Sequence, residues 1–365
     1  MFNRYRPMML LCCAALLCGH SNSQDPAKRA ASPDLQAVGP NELGKIMILE
    51  YHLIQPEETR WGRSISNFKQ DLERLYESGY RPIGMAEYID GKIATARGRR
   101  PVILTFDDSS EGQFRYLIRN GKPEIDPDCA VGMLMDFRKL HPDFALKAIF
   151  FVLPGAQEPH KLFGQPEFEA QKLRELAALG FEIGNHTLWH ADLAKYDATV
   201  VQEQIARAAQ AIQKMVPGYN MRALALPLGN YPRDPNLAIA GSYRGTSYRL
   251  DAVLLVSGGP APSPFSVKRD LTRLPRIQVT GTELQRWIAY FQKHPTEGFT
   301  SDGEADAVTF PRELRPEFNS TKFNHLRVIA DRPESHPAKT MRRFPSSRAG
   351  QGGKRVIIRS EIVLR

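Results

Sequence analysis

Short apolar runs recur along the chain, and longer amphipathic stretches lie between them. The runs are continuous instead of alternating with polar residues, which is typical of strands that are buried on both faces of a parallel sheet. We predict seven such strands, at residues 46–51, 102–106, 148–152, 181–184, 223–226, 252–256 and 276–279.

The stretches between the strands have helical periodicity. Phe68, Leu72 and Tyr76 share one face of a predicted helix that ends at Gly79. A later helix begins after Asp197, a residue type that favours the N-cap position. The predicted helices after the first are 168–179, 197–215 and 282–292, and segments 119–146 and 154–167, rich in Pro, Gly and charge, are predicted as insertions on the rim.

Strands that alternate with helices predict an α/β fold with a parallel sheet, and seven of them at this length predict a distorted, closed (β/α)7-type barrel. An open doubly wound sheet is the alternative, but the sequence has no Gly-rich phosphate loop to support it. We expect a single main domain with short segments at both ends. The predicted divisions are a signal peptide at 1–23, a linker at 24–44, the domain at 45–310 and a C-terminal extension at 311–365.

The net charge of +9 comes mostly from the two ends of the 365-residue chain. The first 23 residues contribute +2 and the residues from Asp331 onward contribute +6, so the body is nearly neutral. A nucleic-acid partner therefore loses its main support. The C-terminal stretch is basic and rich in Gly, Ser and Pro, which predicts a loose solvated tail, with a polyanion-binding arm as the alternative.

The N-terminus has the pattern of an export signal. Arg4 and Arg6 precede an apolar run at 8–18, and small residues follow at 21–23. Eleven residues in a helix span about 16 Å, which is too short for a bilayer core of about 30 Å. We therefore expect cleavage and no transmembrane span in the mature protein.

The cysteines agree with an exported protein that has no internal disulfide. Cys129 lies in the body, whereas Cys12, Cys13 and Cys18 lie in the predicted signal. This is compatible with a bacterial periplasm or the extracellular space. A lipoprotein anchored at Cys18 is the alternative, although Leu17 fits poorly where such sites prefer a small residue.

Two adjacent carboxylates, Asp107 and Asp108, directly follow the predicted strand 102–106. In a parallel β/α barrel, functional groups gather where strands end and loops begin. Neighbouring carboxylates repel each other, so a site that keeps both usually supplies a cation or lets one hold a proton. An Asp pair that caps the next helix is the structural alternative.

Histidines follow two other predicted strands. His186 and His190 stand four residues apart, and on a helical turn two such imidazoles point the same way and can bind one metal ion. A His-Glu-x-x-His protease site is disfavoured because Thr187 stands where the Glu would be. The alternative is that both histidines only pack in the core. Together with the two aspartates, however, His186 and His190 would form an open His₂-carboxylate metal site. His52 ends the first strand, where a structural role is the alternative to a place on the same rim.

These stretches resemble the motifs of the polysaccharide deacetylases, carbohydrate esterase family 4, with NodB-type homology. Residues 104–108 (Leu-Thr-Phe-Asp-Asp) resemble the first motif, 186–190 (His-Thr-Leu-Trp-His) the second and 226–229 (Leu-Pro-Leu-Gly) the third. The Tyr51-His52 pair is similar to the start of an exported subgroup. The resemblance covers about residues 46–310.

The resemblance implies roles for the polar strand ends. Asp108, His186 and His190 would bind one divalent metal, with zinc expected and cobalt, nickel or manganese as alternatives. Asp107 would be the general base and His52 the general acid that protonates the leaving amine. The remaining implied site residues, which hold the oxyanion or contact the substrate, are Leu228, through its backbone N–H, and Pro227.

The chain also departs from the family pattern. Leu226 and Leu228 stand where aromatic residues are usual, which weakens the case for sugar stacking there. Glu50, two residues before His52, is unusual and would raise the pKa of His52 or add a ligand. The candidates that would orient Asp107 or His52 from behind are Arg276, Asp251 and Arg222, with a surface salt bridge as the alternative for Arg276.

The function expected from these residues is removal of N-acetyl groups from an exported or cell-wall polysaccharide. The alternatives are a deacylase of a small or lipid-linked amide or ester with the same site, and a catalytically dead member that only binds glycans. We expect a monomer with a polysaccharide substrate and without a nucleic-acid partner.

Overall fold

The computed structural model describes residues 39–331. The predicted signal peptide at 1–23, the linker up to residue 38 and the basic tail after residue 331 lie outside the described residues. Among the residues that are described, no helix is both long enough and apolar enough to cross a membrane.

Seven parallel strands form a closed barrel. Each strand pairs with the next one along the chain, and the last strand pairs with the first through Leu49 and Ile277. The predicted (β/α)7-type barrel is therefore confirmed, with every predicted strand found near its expected position. The strands are β1 (Met47–Tyr51), β2 (Arg100–Phe106), β3 (Ile149–Val152), β4 (Glu182–Asn185), β5 (Ala223–Ala225), β6 (Ala252–Gly258) and β7 (Leu274–Gln278).

Helices cover the outside of the barrel. Phe68, Leu72 and Leu75 form the buried face of the first helix, and the Asp197 side chain accepts a hydrogen bond from the Val200 N–H at the start of the longest one. Both features follow the sequence pattern. The helices are α1 (Ile65–Glu77), α2 (Met85–Asp90), α3 (Ala130–Leu140), α4 (Glu169–Leu179), α5 (Ala198–Met215) and α6 (Glu283–Lys293).

The prediction that 119–146 is a rim insertion is wrong in its second half. A hairpin of Tyr116–Arg119 and Lys122–Ile125 comes first, and α3 then packs Leu134 and Phe137 into the main core as the helix between β2 and β3. Segment 154–167 lacks strands and long helices and lies beside the open end of the barrel.

The β1 strand shows how the barrel interior is built. Met47, Leu49 and Tyr51 pack outward in the core that includes the surrounding helices, whereas Ile48 packs with residues of the other strands. Side chains alternate along a strand, so Glu50 continues the inward series above Ile48. The interior is therefore apolar below and charged near the carboxyl ends of the strands.

The lower end of the barrel is closed by residues outside the barrel itself. Asn41 exchanges backbone hydrogen bonds with Thr300, and the strand Ala307–Pro311 pairs in parallel with Arg327–Asp331. The predicted domain boundary at 310 falls inside this strand, and ordered structure continues to residue 331. The remaining short strands are Leu53–Gln55, Gly62–Ser64, Tyr80–Pro82, Ala240–Tyr243 and Thr246–Arg249.

Candidate active site

The two aspartates lie at the end of β2 in different surroundings. Asp107 is buried, while Asp108 has a φ of 74° and Ser109 a φ of 42°. This left-handed turn is costly for residues other than glycine, and such strain clusters at functional sites. The side chain of Gln113, which sequence reasoning missed, donates hydrogen bonds to the backbone carbonyls of Asp107 and His52. It thereby ties the ends of β1 and β2 together.

Asp108, His186 and His190 converge on one point. Asp108 Oδ1 lies 3.3 Å from His186 Nε2 and 3.6 Å from His190 Nε2. The expectation that the two histidines share a helical turn is wrong, because the loop after β4 is irregular and has positive φ at Thr187 (69°) and His190 (66°). The loop brings the imidazoles together without a helix.

The ligand chemistry of this cluster fits a divalent metal ion. His186 Nδ1 lies 2.9 Å from the backbone carbonyl of Ala225, and a proton on Nδ1 leaves Nε2 as a lone-pair donor toward Asp108. Both His186 Nε2 and Asp108 Oδ1 are buried without a hydrogen-bond partner. Buried polar atoms are rarely left unpaired, so an ion bound by two imidazoles and one carboxylate would satisfy them.

The charges of neighbouring side chains shift the pKa values of Asp108 and His186. Burial opposes ionisation of Asp108, but the neighbouring His186 holds the pKa of Asp108 below its usual value. Burial likewise opposes protonation of His186, and the carboxylates of Asp107 and Asp108 raise its pKa. The two aspartates are thus kept as anions despite being adjacent.

Arg276 pairs with Asp107 inside the barrel. Its Nη1 and Nη2 donate to Asp107 Oδ1 and Oδ2 at 2.8 and 2.7 Å, and both side chains are almost completely buried. Burial alone would raise the pKa of Asp107, but the guanidinium of Arg276 keeps it below its usual value. The structure therefore assigns Arg276 a place behind Asp107, as the sequence predicts, and not a surface salt bridge.

Other buried residues fix the guanidinium of Arg276. Its Nε donates to the Leu255 carbonyl at 2.6 Å and its Nη1 donates to Thr105 Oγ1 at 3.0 Å. The Phe151 ring lies 5.7 Å from the guanidinium carbon. Gly184 leaves room for that ring, because a Cβ at residue 184 would come within 2.3 Å of Phe151 Cδ1.

His52 lies beside Asp107 at the end of β1. A nitrogen of His52, a carboxylate oxygen of Asp107 and one of Glu50 all lie within 4.8 Å of one another. Burial lowers the pKa of His52, although Asp107 and Asp108 act in the opposite direction. The net shift of the pKa of His52 is therefore downward, so the raising effect expected of Glu50 does not decide it.

Next to the metal-type cluster, a groove of about 630 Å³ is lined by Asp108, Trp189, His190 and residues of the 153–160 loop. The exposed Trp189 ring offers an apolar surface. After β5, Pro227 starts a tight turn in which Leu228 has a φ of 59° and a side chain that is 61% exposed. Sequence reasoning did not find the role of Trp189 in the groove wall.

Asp251 does not lie at this site, which corrects the sequence prediction. It precedes β6, at the opposite end of the barrel, where it accepts a hydrogen bond from Arg222 Nε. Arg222 also donates to Asp90 from Nη1 and Nη2, at 3.1 and 2.7 Å. A residue that precedes a parallel strand lies at the amino end of the sheet, so Asp251 and Arg222 form a separate ion-pair network there.

Comparison with known proteins agrees with this geometry. Residues 94–243 match the family model of the polysaccharide deacetylases. A chitooligosaccharide deacetylase of Bradyrhizobium sp. (strain ANU 289) is 29% identical over 137 residues, which are 38% of this chain and 50% of that protein. One from Sinorhizobium fredii is 27% identical over 148 residues, 40% of this chain and 56% of that protein. The chain thus spans about half the length of these curated relatives.

Solved structures show the same fold. A Streptococcus pyogenes deacetylase in complex with acetate superposes with a TM-score of 0.50 at 19% identity, covering 67% of this chain and 97% of that one. A Bacillus anthracis protein described as a putative polysaccharide deacetylase has a TM-score of 0.50 at 17% identity, covering 67% and 68%. Residues 94–243 thus resemble the polysaccharide deacetylase family, and the barrel has the fold of these solved structures.

Proposed function

We propose that this protein is a metal-dependent hydrolase that removes N-acetyl groups from a polysaccharide of the N-acetylglucosamine type. The observation that carries the proposal is the placement of an arginine-paired carboxylate, Asp107, beside the cluster of Asp108, His186 and His190. Asp107 Oδ2 lies 3.9 Å from His186 Nε2, so a base and a metal-type cluster face the same space.

Asp107 acts as the general base in this proposal. Arg276 keeps it ionised and occupies one lone pair on each oxygen, and the remaining lone pairs can take a proton from the attacking water. The charge developing on the acetyl oxygen needs hydrogen-bond donors, and the backbone N–H of Leu228, next to Pro227, is the candidate donor.

His52 acts as the general acid. The amine that leaves when the amide is cleaved needs a proton, and the imidazole of His52, which lies beside Asp107, can pass one to it. The chemistry that a divalent ion supplies when bound by Asp108, His186 and His190 is polarisation of the water and of the amide carbonyl. Zinc is the proposed ion, and cobalt, nickel and manganese suit the same ligands.

The groove beside Asp108 supports a sugar polymer as the substrate. It is open, it is lined by an exposed Trp189 ring, and it leads directly to the ligand cluster. Two relatives are described as chitooligosaccharide deacetylases, which favours an N-acetylated glucosamine chain. The exposed Leu228 offers no aromatic ring for stacking, so we assign the apolar contact with a sugar to Trp189.

An acetate-release screen tests this function. The purified protein is incubated with N-acetylglucosamine oligomers, chitin, peptidoglycan and acetylated xylan, and free acetate is measured. Asp107→Asn should keep the bound metal and lose activity, because an amide cannot take the proton of the water. Acetate release by Asp107→Asn at the parent rate would refute the assignment of the base, and release from acetylated xylan alone would refute the N-acetyl specificity.

Export to the periplasm or the extracellular space is a second part of this proposal. The predicted signal at 1–23 is its support. Cell fractionation with N-terminal sequencing of the secreted or periplasmic form tests it, and intact protein confined to the cytoplasm would contradict it.

A further inference from the structure

Glu50 is a buried carboxylate that has no role in the proposed reaction steps. Its side chain is 0% exposed and neither of its oxygens has a hydrogen-bond partner. Burial of a carboxylate without such partners is unfavourable by several kcal/mol, so an apolar residue at this place in β1 would stabilise the fold better. A buried carboxylate without hydrogen bonds at the edge of an active site indicates that the residue is kept for function and not for stability.

The two oxygens of Glu50 face different partners. Glu50 Oε2 lies 3.3 Å from Arg276 Nε, and Glu50 Oε1 lies 3.4 Å from His52 Nε2. The Nε–H of Arg276 is directed to the Leu255 carbonyl, so Arg276 supplies charge to Glu50 but no hydrogen bond. The imidazole of His52 is the partner with which Glu50 can exchange a proton.

A second metal ion between Glu50, His52 and Asp107 is disfavoured by the same contacts. Arg276 already occupies both oxygens of Asp107 and places its positive charge 3.3 Å from Glu50. A dication at this point would be repelled by the guanidinium. Glu50, His52 and Asp107 can therefore exchange a proton, but they are poorly placed to bind a metal ion.

We propose that Glu50 is a positioning residue that acts through His52, holding its imidazole at Nε2 and supplying the proton that His52 passes to the leaving amine. The proposal rests on the proposed deacetylase function. The long 3.4 Å contact agrees with it, because catalytic hydrogen bonds are often long before substrate binds and then tighten.

The protons balance over one turnover. Asp107 takes a proton from water as the oxygen of that water bonds to the acetyl carbon. When the carbon–nitrogen bond breaks, His52 gives a proton to the amine and Glu50 gives one to His52 Nε2, which leaves Glu50 as a carboxylate beside Arg276. Asp107 then returns its proton to Glu50 through His52, so the three side chains end as they began.

The electrostatic surroundings of Glu50 agree with a group that carries a proton at rest. Burial raises the pKa of Glu50 to about 8, and Arg276 opposes the rise. The other charged groups that face it are Asp107 and Asp108 at the end of β2, which raise the pKa, and His186 after β4, which lowers it. His52 completes this set from β1 itself.

The test compares Glu50→Gln with a matched control. Glu42→Gln removes another buried carboxylate, one whose pKa is also raised to about 8 by burial, near the opposite end of the barrel. Glu50→Gln should lower kcat roughly 10- to 100-fold with little change in KM, as loss of a partner behind a reacting residue commonly does. Glu42→Gln should leave kcat unchanged.

A double variant shows whether Glu50 acts through His52. His52→Ala should lower kcat roughly 10²- to 10⁴-fold, and adding Glu50→Gln to it should cause no further loss. If the two losses multiply, or if Glu50→Gln retains the parent kcat, the proposal is overturned.

A measurement without substrate keeps this inference separate from the proposed function. In nitrogen NMR of the histidine rings, His52 Nε2 should report a titration step near the pKa of about 8 that belongs to Glu50. The step should vanish in Glu50→Gln and persist in Glu42→Gln. Its absence from the parent would refute the pairing, whereas a parent protein that shows the step but releases no acetate would refute only the function.

Discussion

Replacing Arg276 by Met tests how the base is kept ionised. The substitution removes both hydrogen bonds to Asp107 and leaves a buried carboxylate without a cation. Breaking a buried pair in this way costs about 3–5 kcal/mol. At 1.36 kcal/mol per pKa unit, the pKa of Asp107 would rise by about 2 to 4 units if the whole cost is relieved by protonation.

The direction of the expected change in the pH profile follows from the direction in which Arg276 shifts the pKa of Asp107. Arg276 holds the pKa of Asp107 below its usual value, so the base is ionised at neutral pH and its contribution to stability is lost only as pH falls through that low pKa. In Arg276→Met the pKa moves upward, and Asp107 is protonated at pH values where the parent is active. The acid limb of kcat/KM against pH should therefore move up by about 2 to 4 pH units.

The assay is acetate release from an N-acetylglucosamine oligomer from about pH 3, below the usual carboxylate pKa, to about pH 10, together with urea unfolding at each pH. Arg222→Met is the matched control, because Arg222 also bridges two carboxylates, Asp90 and Asp251, but at the other end of the barrel. That variant should keep the parent pH profile. A folded Arg276→Met protein whose acid limb stays in place would refute the reasoning.

Three further substitutions test the ligand cluster, the packing at Gly184 and a buried ion pair of α1. Asp108→Ala should lose the bound metal, measured as metal per chain by elemental analysis; an unchanged content would exclude Asp108 as a ligand. Gly184→Ala should destabilise the fold by about 1–3 kcal/mol in urea unfolding, because the new Cβ meets the Phe151 ring at 2.3 Å; unchanged stability would show that the ring can move. Arg63→Met should cost about 3–5 kcal/mol, because it leaves the buried Asp71 without the guanidinium that bonds both of its oxygens at 2.8 and 2.7 Å; a loss below 1 kcal/mol would mean that Asp71 is relieved by protonation.

The barrel could be predicted because each strand is a continuous apolar run bounded by polar residues. Helix α3 could not, since Cys129 is an unusual cap and Gly132 weakens the helical pattern. Gly132 is required there by close packing, because a Cβ would lie 2.1 Å from the Asp126 carbonyl oxygen. That contact between a helix and the preceding loop leaves no periodic signal in the sequence.

The site was predictable where function depends on strand ends and motif residues, and less so where it depends on the interior of the barrel. Asp107, Asp108 and His186 follow strands and were found for that reason. The pairing of Glu50 with His52 depends on which side chains of β1 point inward and on the approach of Arg276 from β7. Those contacts exist only once the barrel has closed.

The layer beneath the barrel decides which fragment of this chain can be produced in folded form. Glu42 accepts a hydrogen bond from the Thr309 N–H, and Phe310 and Phe318 are buried in the lower core with Ile46. A fragment that stops at residue 310 would lose Phe318 and the partner strand Arg327–Asp331, and it would expose the Phe310 ring to water. Expression of 39–331 keeps both halves of the layer, so fragments for calorimetry or crystallisation should include residues well beyond the motif-bearing region.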